Sequence, residues 1–248
     1  MVQRAITLDR IIGGVACGLR MVLGQALCRA IPTRLHGAAT RRVFDDATGW
    51  GVDGHEFEKR LFSWEEEFLS GVGRSGPVLV GGAGGGRELE GLALLGHEVI
   101  AFEPSDLVES AATVAARLGM PAVRRASYED LPSAVHGAGP LADVPYGELS
   151  AVVLGWGSIC HLTARQDRIR VLAALRQLAP EAPVLYSFNW RGADDRPYSD
   201  KARLHFDPEL GFFAALQWSD VEEEAVAAGY DMKRTRSEPS PHAWLFPK

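Results

Sequence analysis

The pattern of apolar and polar positions changes character near residue 77. Before that point apolar residues recur at helical spacing. Leu8, Ile12, Val15, Leu19, Val22 and Ala26 fall on one face at alternating steps of four and three, with Arg10, Arg20 and Gln25 largely opposite. This predicts a long helix over 1–35, ended by Ile31-Pro32. Residues 36–54 are polar and glycine-rich and read as a loop or short helix. From His55 to Ser70 the residues Phe57, Leu61, Trp64 and Phe68 again keep helical intervals, and the Glu65–Glu67 run reads as a solvated face. Gly71–Pro77 breaks that pattern.

After residue 77, short and wholly apolar runs alternate with amphipathic ones. The runs Pro77–Val80, Glu98–Phe102, Ala122–Ala126, Ser150–Leu154 and Pro183–Phe188 read as strands. Between and after them Arg87–Leu95, Asp106–Leu118, Arg165–Leu178 and Ser219–Ala228 read as helices. Strands without polar alternation are buried on both faces, as parallel sheets require. Tyr230–Arg236 and His242–Phe246 are joined too briefly for a helical crossover, which predicts an antiparallel edge hairpin. The expected fold is therefore α/β: a doubly wound Rossmann-like sheet of about seven strands, mostly parallel, with an N-terminal helical cap. The cap is assigned to 1–54 and the α/β domain to 55–248.

A length of 248 residues suits one sizeable domain with an attachment. An apolar content of 46% with 23% charged residues excludes global disorder. The net charge of −6 argues against a nucleic-acid partner, because phosphate binding draws on clustered Lys and Arg. Cys17, Cys28 and Cys160 match neither a disulfide framework nor a zinc site, so they read as free thiols in a reducing cytoplasm, and no metal is expected. Arg20 divides the apolar stretch 11–28, which predicts no integral membrane span. The N-terminal helix reads as a cap on the domain. Its alternative use is docking on a membrane surface or, as a homodimer, on a second copy.

Candidate chemistry concentrates in residues 78–105, VLVGGAGGGRELEGLALLGHEVIAFEPS. A buried strand runs into Gly82-Ala83-Gly84-Gly85-Gly86, and a helix begins at Arg87. Glycines permit close approach of a ligand to the backbone, and a helix start offers aligned N–H donors. Glu103 follows Gly86 by seventeen residues, at the end of the next strand. An acid there reaches the ribose hydroxyls of a bound adenosine in doubly wound folds. The dinucleotide fingerprint G-x-G-x-x-G is not met, since its last position falls on Arg87. The motif present is G-x-G-x-G: Gly82, Gly84 and Gly86.

On these residues the chain resembles the class I S-adenosylmethionine (SAM)-dependent methyltransferases, over about 55–248. The resemblance implies S-adenosyl-L-methionine as cofactor. It implies that Gly82, Ala83, Gly84 and Gly86 line its methionine and ribose parts, that Glu103 holds the ribose hydroxyls, and that Pro104 lies beside the adenine. It also implies an adenine contact in the segment 124–132, where Ser127 and Tyr128 stand at the family's acidic position. Glu129 or Asp130 is the substitute, unless they are plain helix-start acids. The usual acid of the first strand is missing, its place taken by Val80 or Gly81.

The acceptor side is expected beyond the fourth and fifth strands. Gly155 and Gly157 permit close approach, and Trp156 would wall the transfer site. His161, which titrates near neutrality, is either the base that removes an acceptor proton or a helix-start histidine. Asn189 would orient a polar acceptor and Arg191 a carboxylate or phosphate, with Trp190 as packing. Tyr198, His205 and Phe206 fall in an insertion where substrate lids sit, and Phe44, Asp45 and Asp46 are placed to fold over the cofactor. The predicted activity is O- or N-methylation of a small molecule, without H-E-x-x-H, G-x-S-x-G or P-loop chemistry. Its rivals are a non-catalytic SAM- or nucleoside-binding module, suggested by the missing acid, and a nicotinamide oxidoreductase. The oxidoreductase is disfavoured because Lys201 follows Tyr198 by three residues rather than four.

Overall fold

The computed structural model describes residues 22–45, 48–51, 54, 57–190, 198–235 and 241–248. Its seven-stranded sheet is made of β1 (Val78–Gly81), β2 (Val99–Glu103), β3 (Arg124–Arg125), β4 (Ala151–Leu154), β5 (Val184–Ser187), β8 (Tyr230–Arg234) and β9 (His242–Pro247), in the order β3-β2-β1-β4-β5-β9-β8. The pairings from β3 through β5 are parallel, and β9 lies antiparallel between β5 and β8. The expected edge hairpin is therefore present. A separate hairpin of β6 (Leu204–Asp207) and β7 (Gly211–Ala214) fills the insertion after β5, which the sequence pattern did not resolve.

Period-two alternation explains why these strands are apolar throughout. Val78, Val80, Val99, Ala101, Val153 and Leu185 point into one core, while Leu79, Ile100, Phe102, Val152, Leu154 and Tyr186 point into the other. The first core is closed by α3 (Ser63–Ser70), α4 (Arg87–Leu94) and α5 (Leu107–Arg117). The second is closed by α6 (Leu131–Ala134), α7 (Arg165–Leu178) and α9 (Trp218–Ala227). The third strand is only two residues long, much shorter than the expected 122–126.

The N-terminal region departs most from expectation. A helix, α1, covers 22–30, and Pro32 ends it as foreseen; of the loop or short helix expected after it, residues 36–45 form the helix, α2 (His36–Asp45). Of the predicted apolar face, Leu8, Ile12, Val15 and Leu19 lie outside the described residues, and Val22 and Ala26 are exposed. The 22–30 helix instead packs through Gly24, where the absent side chain lets the backbone approach the Phe206 carbonyl. In the 57–70 segment the helix is interrupted because Arg60 adopts φ 53 and its carbonyl accepts from the Arg87 guanidinium, although Leu61, Trp64 and Phe68 are buried as their spacing required. Glu65 is not solvated: it is 1% exposed and pairs with Arg87.

Two buried ion pairs hold the insertion to the body. Arg168 of α7 binds Glu224 of α9 through Nε (3.0 Å) and Nη2 (2.6 Å), and also donates to Tyr198 Oη and the Leu162 carbonyl. Arg203, at the end of α8 (Asp200–Arg203), binds Asp220, which also accepts from the Gln217 N–H at the start of α9. Removing one member of such a pair strands a buried charge, which costs about 3–5 kcal/mol. Glu224→Ala is therefore expected to lower stability by that amount in urea unfolding. A loss of less than about 1 kcal/mol, the range of exposed pairs, would show that water reaches the Arg168 side chain.

Candidate functional site

The glycine turn lies between the tip of β1 and α4, under a lid formed by α2 and the segment that follows it. Ala83 N–H donates to the Phe102 carbonyl (3.1 Å), and Gly84 N–H donates to Glu103 Oε2 (2.8 Å). The other oxygen of Glu103 accepts from the N–H (2.9 Å) and hydroxyl (2.5 Å) of Ser105. Burial pushes the Glu103 carboxyl upward, and these three donors hold it down. The carboxylate is thus oriented in advance, and a ligand hydroxyl would compete with Gly84 or Ser105 for its lone pairs.

The cleft above this turn encloses ≈ 1160 Å³ including its open mouth, and its lining is mainly apolar. Gly82, Ala83, Gly84, Glu103, Pro104, Ser127, Tyr128, Trp156, His161 and Asn189 all contribute to it, so most of the residues singled out from the sequence meet around one space. Gly84 matters most. At φ +51 it sits in left-handed backbone, and a Cβ there would meet nothing within 4 Å, so it would project into open space.

Gly86 and Gly155 do not line the cleft. Gly86 caps α4 at φ +95 and lets α5 approach, with Ala111 Cα 3.1 Å from where its Cβ would stand. Gly155 packs on the strand tips, its Cβ position lying 3.1 Å from the carbonyls of Gly81 and Gly82. Both are needed for close packing rather than as lining. Tyr128 is 7% exposed, donates to the Gly81 carbonyl (2.7 Å) and bonds Ser158 Oγ (2.6 Å), which ties β1 to the loop after β4. Asp130 is a capping acid, accepting from Ser127 N–H (2.8 Å) and Oγ (3.1 Å), whereas Glu129 reaches the cleft.

The lid brings aromatic rings to the opening. Phe44 meets Trp50 and His161 edge-on, at 5.9 and 5.4 Å, and Trp156 lies 5.6 Å from Trp50 and 5.3 Å from Phe62. The Trp50 carbonyl packs directly on Gly85, and Asp45 Oδ1 accepts from the Asp106 N–H at the start of α5 (2.9 Å). Phe44 and Asp45 therefore fold over the turn as expected; Asp46 lies outside the described residues. The lid is fastened to the insertion: His36 stacks on Phe212 (4.3 Å), and Thr40 Oγ1 accepts from the Phe212 N–H (2.9 Å).

His161 Nδ1 stands 2.9 Å from the Phe212 carbonyl, which can only accept. The proton is thereby fixed on Nδ1, and Nε2 is left as the acceptor. Burial lowers the imidazole pKa, which favours this neutral form. Asn189 holds its side chain against Gly157, with Oδ1 3.1 Å from that residue's Cβ position. Trp190 is 58% exposed rather than packed, and Arg191 lies outside the described residues. Tyr198, His205 and Phe206 turn away from the cleft. Tyr198 bonds Arg168 and Asp200, His205 stacks on Phe213, and Phe206 packs on Phe212; Leu210 is the insertion's lining residue. The sequence reading missed Glu88, Ser158 and Arg41, which also line the cleft. Glu88 was hidden by lying in the first turn of a helix, where acids are favoured anyway.

No protein-family model matches the sequence, and no curated protein matches it. Solved structures do. A SAM-dependent methyltransferase from Bacteroides fragilis, in complex with S-adenosyl-L-homocysteine, superposes with a TM-score of 0.57 at 15% identity, covering 88% of this chain and 97% of that one. Magnesium protoporphyrin IX methyltransferase from Synechocystis, with bound SAM, gives 0.55 at 16% identity over 88% and 99%. A glycopeptide N-methyltransferase complexed with SAM gives 0.54 at 22% identity over 78% and 87%. Identities this low speak to the fold. With its parallel core, reversed penultimate strand and cleft at the strand tips, the chain has the class I SAM-dependent methyltransferase fold.

Proposed function

We propose that the protein binds S-adenosyl-L-methionine in this cleft and transfers its methyl group to an oxygen or nitrogen of a small molecule. The observation that carries the reading is the pairing of Gly84, open to the cleft, with a buried Glu103 already aligned beside it. Gly82, Ala83 and Gly84 would hold the amino-acid and sugar parts, Glu103 the ribose hydroxyls, and Pro104 with Ser127 the base. When bound, SAM supplies a methyl group already activated by its sulfonium. The protein then has to bind, orient and desolvate the acceptor, and such positioning supplies roughly 7–11 kcal/mol of barrier lowering.

His161 is the acceptor's base in this reading. Its Nδ1–H is committed to Phe212, so Nε2 would take the proton of an acceptor hydroxyl, or of an amine nitrogen as its lone pair is used, while the bond to carbon forms and the carbon–sulfur bond breaks. Trp156 walls the acceptor, and Asn189 offers it an amide. The mainly apolar lining and the net charge of −6 favour a small organic acceptor over nucleic acid.

Thermal melts test the cofactor assignment. Ligand at a hundred-fold excess over Kd stabilises by about 2.7 kcal/mol, which raises Tm by roughly 5–10 °C in a chain of this size. SAM and S-adenosylhomocysteine are expected to give that shift and NAD none. In Gly84→Val the added side chain enters the ligand's space, and the shift should vanish. A parent protein that responds only to NAD, or a Gly84→Val protein that responds like the parent, overturns the assignment.

The base assignment is tested by NMR titration of the His161 ring. Because burial lowers its pKa, the ring should stay neutral until the pH drops below the ordinary histidine value of 6.5. Any acid limb in kcat/KM then lies below pH 6.5 and activity is full above it. His161→Ala should cost about 10²–10⁴ in kcat. A ring already protonated at neutral pH would remove His161 from the role.

A further inference from the structure

The wall of the cleft under α4 carries more negative charge than the fold requires. Arg87 is already matched by Glu65, through Nη1–Oε2 and Nη2–Oε1 contacts of 2.8 Å each. Glu88 is a second buried carboxylate on the same guanidinium, 5% exposed, touching it only through Oε1 (2.6 Å). Its Oε2 has no donor among the described residues, and the side chain lines the cleft. Glu103, the third carboxylate of this wall, is held by uncharged donors alone. Two carboxylates thus share the Arg87 guanidinium, with the uncharged-donor site of Glu103 beside them, and Arg41 also lines the cleft. A buried anion without its own counter-ion is costly, and such an arrangement marks a place where a cation is received.

The oxygens near Glu88 agree. The carbonyls of Gly81 and Gly82 and Glu88 Oε1 lie 3.1, 3.1 and 3.6 Å from the point where a side chain at Gly155 would begin. Gly155 lets these acceptors crowd together at the strand tips. An ammonium, with three donors and no lone pair, is the complement of such a set of acceptors. The charge of Glu88 is also felt by its neighbours. Burial is the main cause that raises the pKa of Glu65, Glu103 and Tyr128, and repulsion from Glu88 adds to it in all three. A bound cation relieves that repulsion. The first strand offers no alternative anion, since Val80 is wholly buried in a hydrophobic core and Gly81 has no side chain.

Resting on the cofactor reading above, we propose that Glu88 receives the α-ammonium group of the bound nucleoside's amino-acid part, a duty moved from the first strand to the first turn of α4. Arg87, bonded to Oε1, keeps the carboxylate turned toward the cleft.

Calorimetric titration of the full chain tests this with three probes: SAM, S-adenosylhomocysteine and 5′-methylthioadenosine. The first two carry the ammonium; the third keeps the adenosine and thioether without it. Glu88→Gln is expected to weaken SAM and S-adenosylhomocysteine at least ten-fold and to leave methylthioadenosine unchanged. Glu103→Ala should weaken all three. Glu88→Asp, which keeps the charge on a shorter stem, should recover part of the loss and guards against a folding defect in the glutamine variant. If Glu88→Gln weakens SAM alone, the carboxylate faces the sulfonium and the proposal is wrong. Equal loss of all three probes, or of none, also overturns it. A parent protein that binds methylthioadenosine but neither amino-acid-bearing probe refutes this inference and the SAM assignment together, whereas tight SAM binding by both parent and Glu88→Gln refutes the inference alone.

Discussion

A hydrogen bond from the Gly84 N–H to the buried carboxylate of Glu103, beside one from the Ala83 N–H to the Phe102 carbonyl, joins the glycine turn to the tip of the neighbouring strand. Because β1 and β2 run parallel and in register, their carboxyl ends emerge side by side, and one acid on the second can reach backbone donors on the first. Low local dielectric strengthens that bond and also makes it costly to break, so the turn is held open rather than collapsed on itself. The open space beyond Gly84, the seat of the lid on Gly85 and the direction of α4 all follow from the shape this contact imposes.

The lid and the insertion that fastens it come from segments far apart in the chain. α2 comes before the sheet, and the β6–β7 hairpin comes after its fifth strand. His36 and Thr40 from the first grip Phe212 from the second. The Phe212 carbonyl in turn fixes the tautomer of His161. One residue of the insertion therefore couples closure of the cleft to the protonation state of its candidate base. The same region is anchored from below by Arg168, whose bond to the Leu162 carbonyl steadies the loop next to His161.

Charge is distributed in the same spirit. Exposed pairs such as Arg117–Glu90 contribute little. The buried Arg168–Glu224 and Arg203–Asp220 pairs specify how α7, α8 and α9 meet. The Glu65–Arg87–Glu88 group differs, because two carboxylates meet one guanidinium and the second of them, Glu88, lines the cleft, where function rather than stability sets the requirement.

The sheet, its antiparallel edge hairpin and the glycine turn with Glu103 were legible in the sequence because they depend on local order: period-two burial, a turn that tolerates only small residues, and an acid at a fixed distance along the chain. Val78–Gly81 and Val99–Glu103 announce themselves in this way. The helix at 36–45 did not, since its polar sequence gains stability from Phe212, more than 160 residues away. Nor did the burial of Glu65, which read as a solvent-facing helix acid, or that of Glu88, since it took the fold to place Arg87 between them. Propensity and spacing act between neighbours in the chain. The lid, the tautomer of His161 and the burial of Glu88 against Arg87 depend on groups that only tertiary packing brings within a few ångströms.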